Sequence, residues 1–191
     1  MKPKIILIGS FISLVAVILI AGYLLYPKIK SLNINFESYK TKPGYYKVTK
    51  VSDGDTFEVN MDGRTEKVRL IGVDTPETVK PNSPTECYGK IASDFTKQQL
   101  TNKTVKLEAD AINQNRDRYS RLLRYAYLEN GELFNAKLIS EGYGFAYLSF
   151  PFTKAEEFRQ LQSIARQQNR GLWAGDCQIE DVNGRNKTNT I

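Results

Sequence analysis

Three short clusters hold the residues with chemical potential: Asp53-Gly54-Asp55-Thr56, Arg69 followed by Asp74-Thr75-Pro76-Glu77, and Arg118-Tyr119-Ser120-Arg121. Carboxylates and carbonyls are the oxygen donors that a hard cation takes. Arginines present the planar fork that grips a phosphate through two hydrogen bonds. The chain of 191 residues contains no histidine. That excludes the Ser-His-Asp triad, the Cys-His pair and imidazole ligation of zinc, and two cysteines alone make a poor zinc site. Any catalysis must use Asp, Glu, Lys, Arg, Tyr, a thiol or a bound metal. Together these facts point to phosphodiester chemistry by metal, carboxylate and guanidinium.

Each cluster also has a plainer reading. Asp-Gly is a common turn dipeptide, and Asp-Thr before Pro favours a turn. Isolated surface arginines form salt bridges worth little. The combination says more than any one cluster. Both acidic clusters fall at strand ends within one meander, so Asp55 and Asp74 can converge. Without a cation, converging carboxylates raise one another's pKa. Arg69 stands five residues before Asp74 in the same strand, and Arg121 opens a later strand.

The elements that must position these groups are read from periodicity. Strands are expected at 45–51, 56–61, 64–73, 104–110 and 121–128, with Asp62-Gly63 as a hairpin turn between the second and third. Residues 78–86 read as a loop rich in Pro and polar residues. A helix is expected over 88–100, with Ile91, Ala92, Phe95 and Leu100 near helical spacing. A second is expected over 132–141, stopped by Gly142, and a third over 154–169, with Phe158, Leu161, Ile164 and Ala165 inward. Trp173 is expected to pack back on the body. The order of three strands, helix, two strands, helix, helix fits a small antiparallel barrel with helices added.

Outside this body, Ile5 to Tyr26 is a run of 22 residues without charge. As a helix it spans roughly 33 Å, enough to cross a bilayer. It reads as an uncleaved signal anchor, with a cleaved secretory signal as the competing reading. Residues 27–44 form a linker. The first 44 residues hold six lysines and one glutamate, whereas residues 45–178 hold 19 basic and 18 acidic groups. The net charge of +6 is therefore proximal to the membrane and does not by itself argue for nucleic-acid binding. Residues 178–191, polar and rich in Asn, are expected to be disordered. Cys87 and Cys177 are two unrelated thiols in a reduced cytosol. In an exported domain they become a disulfide candidate, stabilising by on the order of 4–5 kcal/mol.

In order and spacing, the chain resembles the thermonuclease or staphylococcal nuclease family over roughly residues 45–175. The stretches that carry the likeness are 52–56, Val68 through Glu77, Tyr88-Gly89 with Ala92, Asp117 through Arg121, Asn135-Ala136 with Leu138, and Gly171-Leu172-Trp173. The resemblance implies an α+β fold, a five-stranded OB-fold barrel with three helices. It implies that Asp55 and Asp74 ligate calcium through carboxylates and Thr75 through its carbonyl. Glu77 would orient or deprotonate the attacking water, and Arg69 and Arg121 would grip the phosphate. Arg118 and Tyr119 match positions at a nucleotide's terminal phosphate, and Tyr147 matches a tyrosine lying against the nucleotide. Asp53 would support the turn.

Two departures stand out: Ser120 replaces the family's usual glycine, and Gly142–Tyr147 is one residue shorter than in the best-known member. The added cysteines resemble a variant of exported relatives. The implied protein is a calcium-dependent nuclease acting on DNA and RNA, single strands preferred, leaving 3′-phosphate ends. It would act as a monomer, anchored to a membrane through residues 5–26 with the nuclease domain outside the cytoplasm, or secreted if that segment is cleaved. The runner-up is a non-catalytic OB-fold module that binds single strands, which would usually lack one or more of Arg69, Glu77 and Arg121. A third reading, a calcium-stabilised scaffold, leaves the two arginines unexplained.

Overall fold

Alternation of inward apolar and outward polar side chains builds the barrel. Strands β1 (Tyr45–Asp53), β2 (Thr56–Met61) and β3 (Arg64–Leu70) form an antiparallel meander. Phe57 and Val59 of β2 and Val68 and Leu70 of β3 are buried, so Arg69, lying between the last two, projects from the opposite face. Burying each such side chain stabilises by about 1.5–3 kcal/mol relative to exposure. The β2–β3 hairpin turns at Asp62 (φ 53°) and Gly63 (φ 85°), the left-handed pair that a two-residue hairpin requires. The computed structural model describes residues 44–78 and 84–191. The anchor expected at 5–26 and all of the linker except Gly44 lie outside the described residues. Among the described residues no helix is long and apolar enough to cross a membrane.

The third expected strand divides. Gly72 adopts φ 69°, and a Cβ there would lie 2.6 Å from the Phe152 ring, so the chain turns at a position only glycine fits. The two residues beyond, β4 (Val73–Asp74), leave the barrel and pair with β7 (Phe145–Ala146). Strands β5 (Thr104–Glu108) and β6 (Leu122–Tyr127) complete a closed barrel in the order β1-β2-β3-β6-β5, with β3 and β6 parallel. Buried Asn135 locks this corner. Its Oδ1 accepts the Ala126 N–H at 2.9 Å and its Nδ2 donates to the Ile71 carbonyl at 2.9 Å.

Three helices cover the barrel: α1 (Gly89–Leu100), α2 (Phe134–Ser140) and α3 (Ala155–Gln167). The five-stranded barrel with three helices agrees with the expected α+β class, but the expectation of an antiparallel barrel is corrected at one pair: closure joins β3 to β6, and these two strands run parallel. The inward faces differ in detail. In α1 the buried line is Ala92, Thr96 and Leu100, spaced four apart, and Ile91 faces outward. In α3, Phe158 and Ala165 are buried, whereas Ile164 lies beyond the edge of that stripe and is exposed. Trp173 packs back as expected, edge to face with Phe145 at 5.4 Å between ring centres.

The expectation of disorder over 178–191 is corrected. Strands β8 (Ile179–Val182) and β9 (Arg185–Thr188) form a hairpin around Asn183-Gly184, both at positive φ. A disulfide joins Cys87 to Cys177. Backbone pairing then holds the tail: Cys87 N–H donates to the Asn189 carbonyl at 2.7 Å, and Ile191 N–H to Thr85 at 3.0 Å. The segment lacks the apolar content that ordinarily signals order. Its order comes from a covalent tie and main-chain hydrogen bonds.

Candidate active site

The β1–β2 turn and the β4 end meet because Gly54 allows it. A Cβ at Gly54 would lie 2.6 Å from Thr75 Oγ1, so no larger residue fits. From α1, the Thr96 hydroxyl donates to the Gly54 carbonyl at 2.7 Å and fixes the turn from behind. Asp55 then faces Thr75: its Oδ2 accepts the Thr75 N–H at 3.0 Å and Oγ1–H at 3.1 Å, while Oδ1 accepts the Thr56 hydroxyl at 2.9 Å. Arg69 bridges the two acids, pairing through Nη1 with Asp55 and through Nη2 with Asp74 Oδ1 at 3.0 Å. The side chains of Asp55, Asp74 and Arg69 are only 8, 6 and 13% exposed. Burial pulls the Arg69 pKa down, against the stabilising charge of Asp74.

Arg121 approaches from the other side. Its Nη1 reaches Thr56 Oγ1 at 3.4 Å, one hydrogen bond from Asp55. Asp117 sets its direction, accepting the Arg121 Nε–H at 2.6 Å and its backbone N–H at 3.0 Å. Burial would raise the Asp117 pKa, but the Arg121 hydrogen bonds and charge outweigh it and hold that carboxyl below its ordinary range. The intervening turn places Ser120 at φ 62°. Tyr119 is 64% exposed, with the Arg118 and Arg121 guanidinium carbons 4.9 and 5.3 Å from its ring centre. An exposed ring flanked by cations is a surface suited to an anionic, stackable group.

Glu77 lies in the segment after Asp74, beside Asp53. Glu77 Oε1 accepts the Thr78 N–H at 3.1 Å, and the Glu77 N–H donates to Glu86 Oε2 at 3.0 Å. Asp53 accepts the Thr78 hydroxyl at 2.7 Å. Burial first, and Glu77 in addition, push the Asp53 carboxyl up to about 6. Asp53 thus ties the end of β1 to the Glu77-Thr78 segment. Tyr147 anchors to the site's floor, its N–H donating to the Gly72 carbonyl at 2.9 Å.

One charged group at the site was not foreseen. Arg185 of β9 donates through Nε to Asp74 Oδ2 and through Nη2 to Asp74 Oδ1 at 2.8 Å, and its guanidinium lies 5.8 Å from the Tyr147 ring centre. Burial would lower its pKa, but the Asp74 hydrogen bonds and charge outweigh that and raise it. The local signal was the Asn183-Gly184 turn, which marks a hairpin but not its destination. Asp55, Asp74, Thr75 and Arg69 thus form one contact network. Arg121 adjoins it through Thr56, Arg185 and Tyr147 flank it, and Glu77 stands in the next loop.

Among the described residues no group of three His, Cys, Asp or Glu side chains clusters as a metal site. The donor set nevertheless suits a hard cation. Asp55 and Asp74 are buried carboxylates whose negative charge is met by guanidinium groups, and every nearby donor to a metal is oxygen. The staphylococcal nuclease homologue model matches residues 67–175. Thermonuclease of Staphylococcus hyicus is 49% identical over 130 residues, covering 68% of this chain and 75% of that protein.

The chain belongs to the staphylococcal nuclease family. Thermonuclease of Staphylococcus intermedius is 44% identical over 147 residues, covering 76% of this chain and 82% of that protein. A further relative, Endonuclease YncB of Bacillus subtilis, is 38% identical over 124 residues, 64% of this chain and 58% of that protein. Of the stretches that carry the likeness, 52–56, 68–77 and 117–121 meet at this site, although they are spread over the barrel turn, β4 and the β5–β6 connection.

Proposed function

We propose that this endonuclease hydrolyses phosphodiester bonds of DNA and RNA with a calcium ion held by the Asp55 and Asp74 carboxylates and the Thr75 carbonyl. The observation that carries the reading is the Arg69 bridge between the two buried acids, with Arg121 one hydrogen bond away. When bound, calcium would polarise the phosphate and lower the pKa of water. The chain's own groups do the rest. Glu77 orients the attacking water or takes its proton. Arg69 and Arg121 offer guanidinium donors to phosphate oxygens as charge builds there, in a buried setting where such contacts are strengthened. Arg121 also neutralises the leaving 5′ oxygen, so that 3′-phosphate ends remain. Arg118 and Tyr119 hold a flanking phosphate, and Tyr147 lies against a base. These contacts read phosphate and one ring face, so little sequence readout is expected and unpaired strands fit best.

The test is cleavage of single-stranded DNA by the full chain with calcium, with chelator, and by Glu77→Gln. Turnover should require the cation and fall by orders of magnitude in the variant, with calcium binding retained. Equal turnover in Glu77→Gln would remove Glu77 from the mechanism. Strand binding without cleavage under every condition would favour the binding-module reading. The Cys87–Cys177 bridge supports action in an oxidising compartment. On that ground we infer a domain outside the cytoplasm, anchored through residues 5–26. Retention on membranes after a high-salt wash is expected. A mature N-terminus near residues 23–30 would show a cleaved signal instead.

A further inference from the structure

We propose that Arg185 is a further residue of the cation site: a resident counter-ion, delivered by the C-terminal hairpin, that occupies Asp74 until a divalent cation displaces it. The proposal rests on the calcium reading of Asp55 and Asp74, and it assigns a role to a segment outside the family match, which ends at residue 175.

The geometry is specific. Arg185 engages both oxygens of Asp74, and Arg69 also claims Oδ1. With two guanidinium groups on one carboxylate, an incoming cation meets positive charge where it needs a lone pair. Binding must therefore exchange the Arg185 contact for a metal contact. Asp74 is buried, so without Arg185 the acid pair would keep Arg69 as its one contacting cation among the described residues.

The hairpin is not a loose arm. The Cys87–Cys177 disulfide, the Thr188 hydroxyl on the Cys87 carbonyl at 2.8 Å and the Glu86–Thr190 bridge hold its base to the segment leading into α1. Exchange thus moves a side chain rather than a domain. The Arg185 side chain is 45% exposed, so it can swing, and the neighbouring Tyr147 ring offers it a cation–π resting place. A bidentate charged contact of this kind, discounted for partial exposure, should weaken cation binding by about threefold to tenfold.

The experiment compares calcium binding by calorimetry, and thermal unfolding in EDTA and in saturating calcium, for the full chain, Arg185→Gln and Lys187→Gln. The last removes the same charge from the same strand. Arg185→Gln is expected to bind calcium about threefold to tenfold more tightly, and Lys187→Gln to match the parent. In EDTA, Arg185→Gln should melt about 2–5 °C lower, and the difference should close in calcium. Equal calcium affinity of Arg185→Gln and parent would overturn the proposal. So would an equal shift in Lys187→Gln, which would reveal only net charge, or an equal loss of melting temperature with and without calcium, which would reveal only a structural contact. No calcium binding by any of the three proteins would instead sink the calcium reading itself, and this proposal with it.

Discussion

Replacing Asp53 by Asn should stabilise the calcium-free protein, with a gain that sets in above about pH 4 and is complete above about pH 6. The carboxyl is buried beside Glu77, and its pKa rises from 3.8 to about 6. In the unfolded chain the acid ionises near pH 4. In the folded chain it stays protonated until about pH 6. Folding therefore carries no penalty from this group below pH 4, and the penalty grows as pH rises and is complete above about pH 6. Raising the pKa from 3.8 to about 6 corresponds to about 3 kcal/mol. Asparagine reproduces the neutral acid: its Oδ1 can still accept the Thr78 hydroxyl, and its Nδ2 can donate to Glu77. We expect Asp53→Asn to gain about 1–3 kcal/mol at pH 8 in EDTA, and close to nothing at pH 4. Urea unfolding followed by tryptophan fluorescence at both pH values measures this, Trp173 being the single reporter. A loss of stability at pH 8, or an equal change at both pH values, would refute the reasoning that burial and Glu77 hold this carboxyl up.

Three further outcomes follow from the fold. Ser120→Gly should be stabilising by up to about 1 kcal/mol, because relief of the left-handed conformation exceeds the chain entropy that glycine adds; a destabilised variant in the same unfolding assay would contradict this. Removing the disulfide in the Cys87→Ser, Cys177→Ser double variant should cost about 4–5 kcal/mol for a bridge spanning 90 positions, measured by denaturant midpoint. Asp110 accepts hydrogen bonds from Tyr125, Ile112, Asn113 and both the backbone N–H and the hydroxyl of Thr153, which outweigh burial and hold its carboxyl well below the usual range. Its contribution should be present above about pH 4 and lost as pH falls further, so Asp110→Asn should be destabilising by about 1–3 kcal/mol at pH 7 and progressively less so in acid.

The barrel was legible because period-two alternation in 56–61 and 64–70 and the Asp62-Gly63 turn are local properties. The inward faces of α1 and α3 were only partly legible. Thr96 is fully buried because its hydroxyl finds the Gly54 carbonyl, which an apolar count passes over, and Ile164 sits just outside its stripe. The split of the third strand depended on Phe152 crowding Gly72, a contact eighty residues away in sequence. At the site, the convergence of Asp55 and Asp74 and the place of Arg69 were legible from strand ends and spacing, whereas Thr75 entered only through the family resemblance. Arg185 did not, because its partner is 111 residues away and its own segment carries no apolar signal. The raised carboxyl of Asp53 likewise needed burial and the proximity of Glu77, neither of which a turn motif encodes.

Strand β3 carries Val68 and Leu70 into the barrel's centre and Arg69 out of it, between two acids. One stretch of backbone thus serves two masters. A repacking that shifts Val68 or Leu70 by half an ångström carries the guanidinium with it, so selection for a tougher interior and selection for turnover pull on the same three consecutive residues. Libraries that diversify the interior of this protein should find Val68 and Leu70 less permissive than their apolar character alone would suggest, and Val59, one strand away and bordered by no working group, freer.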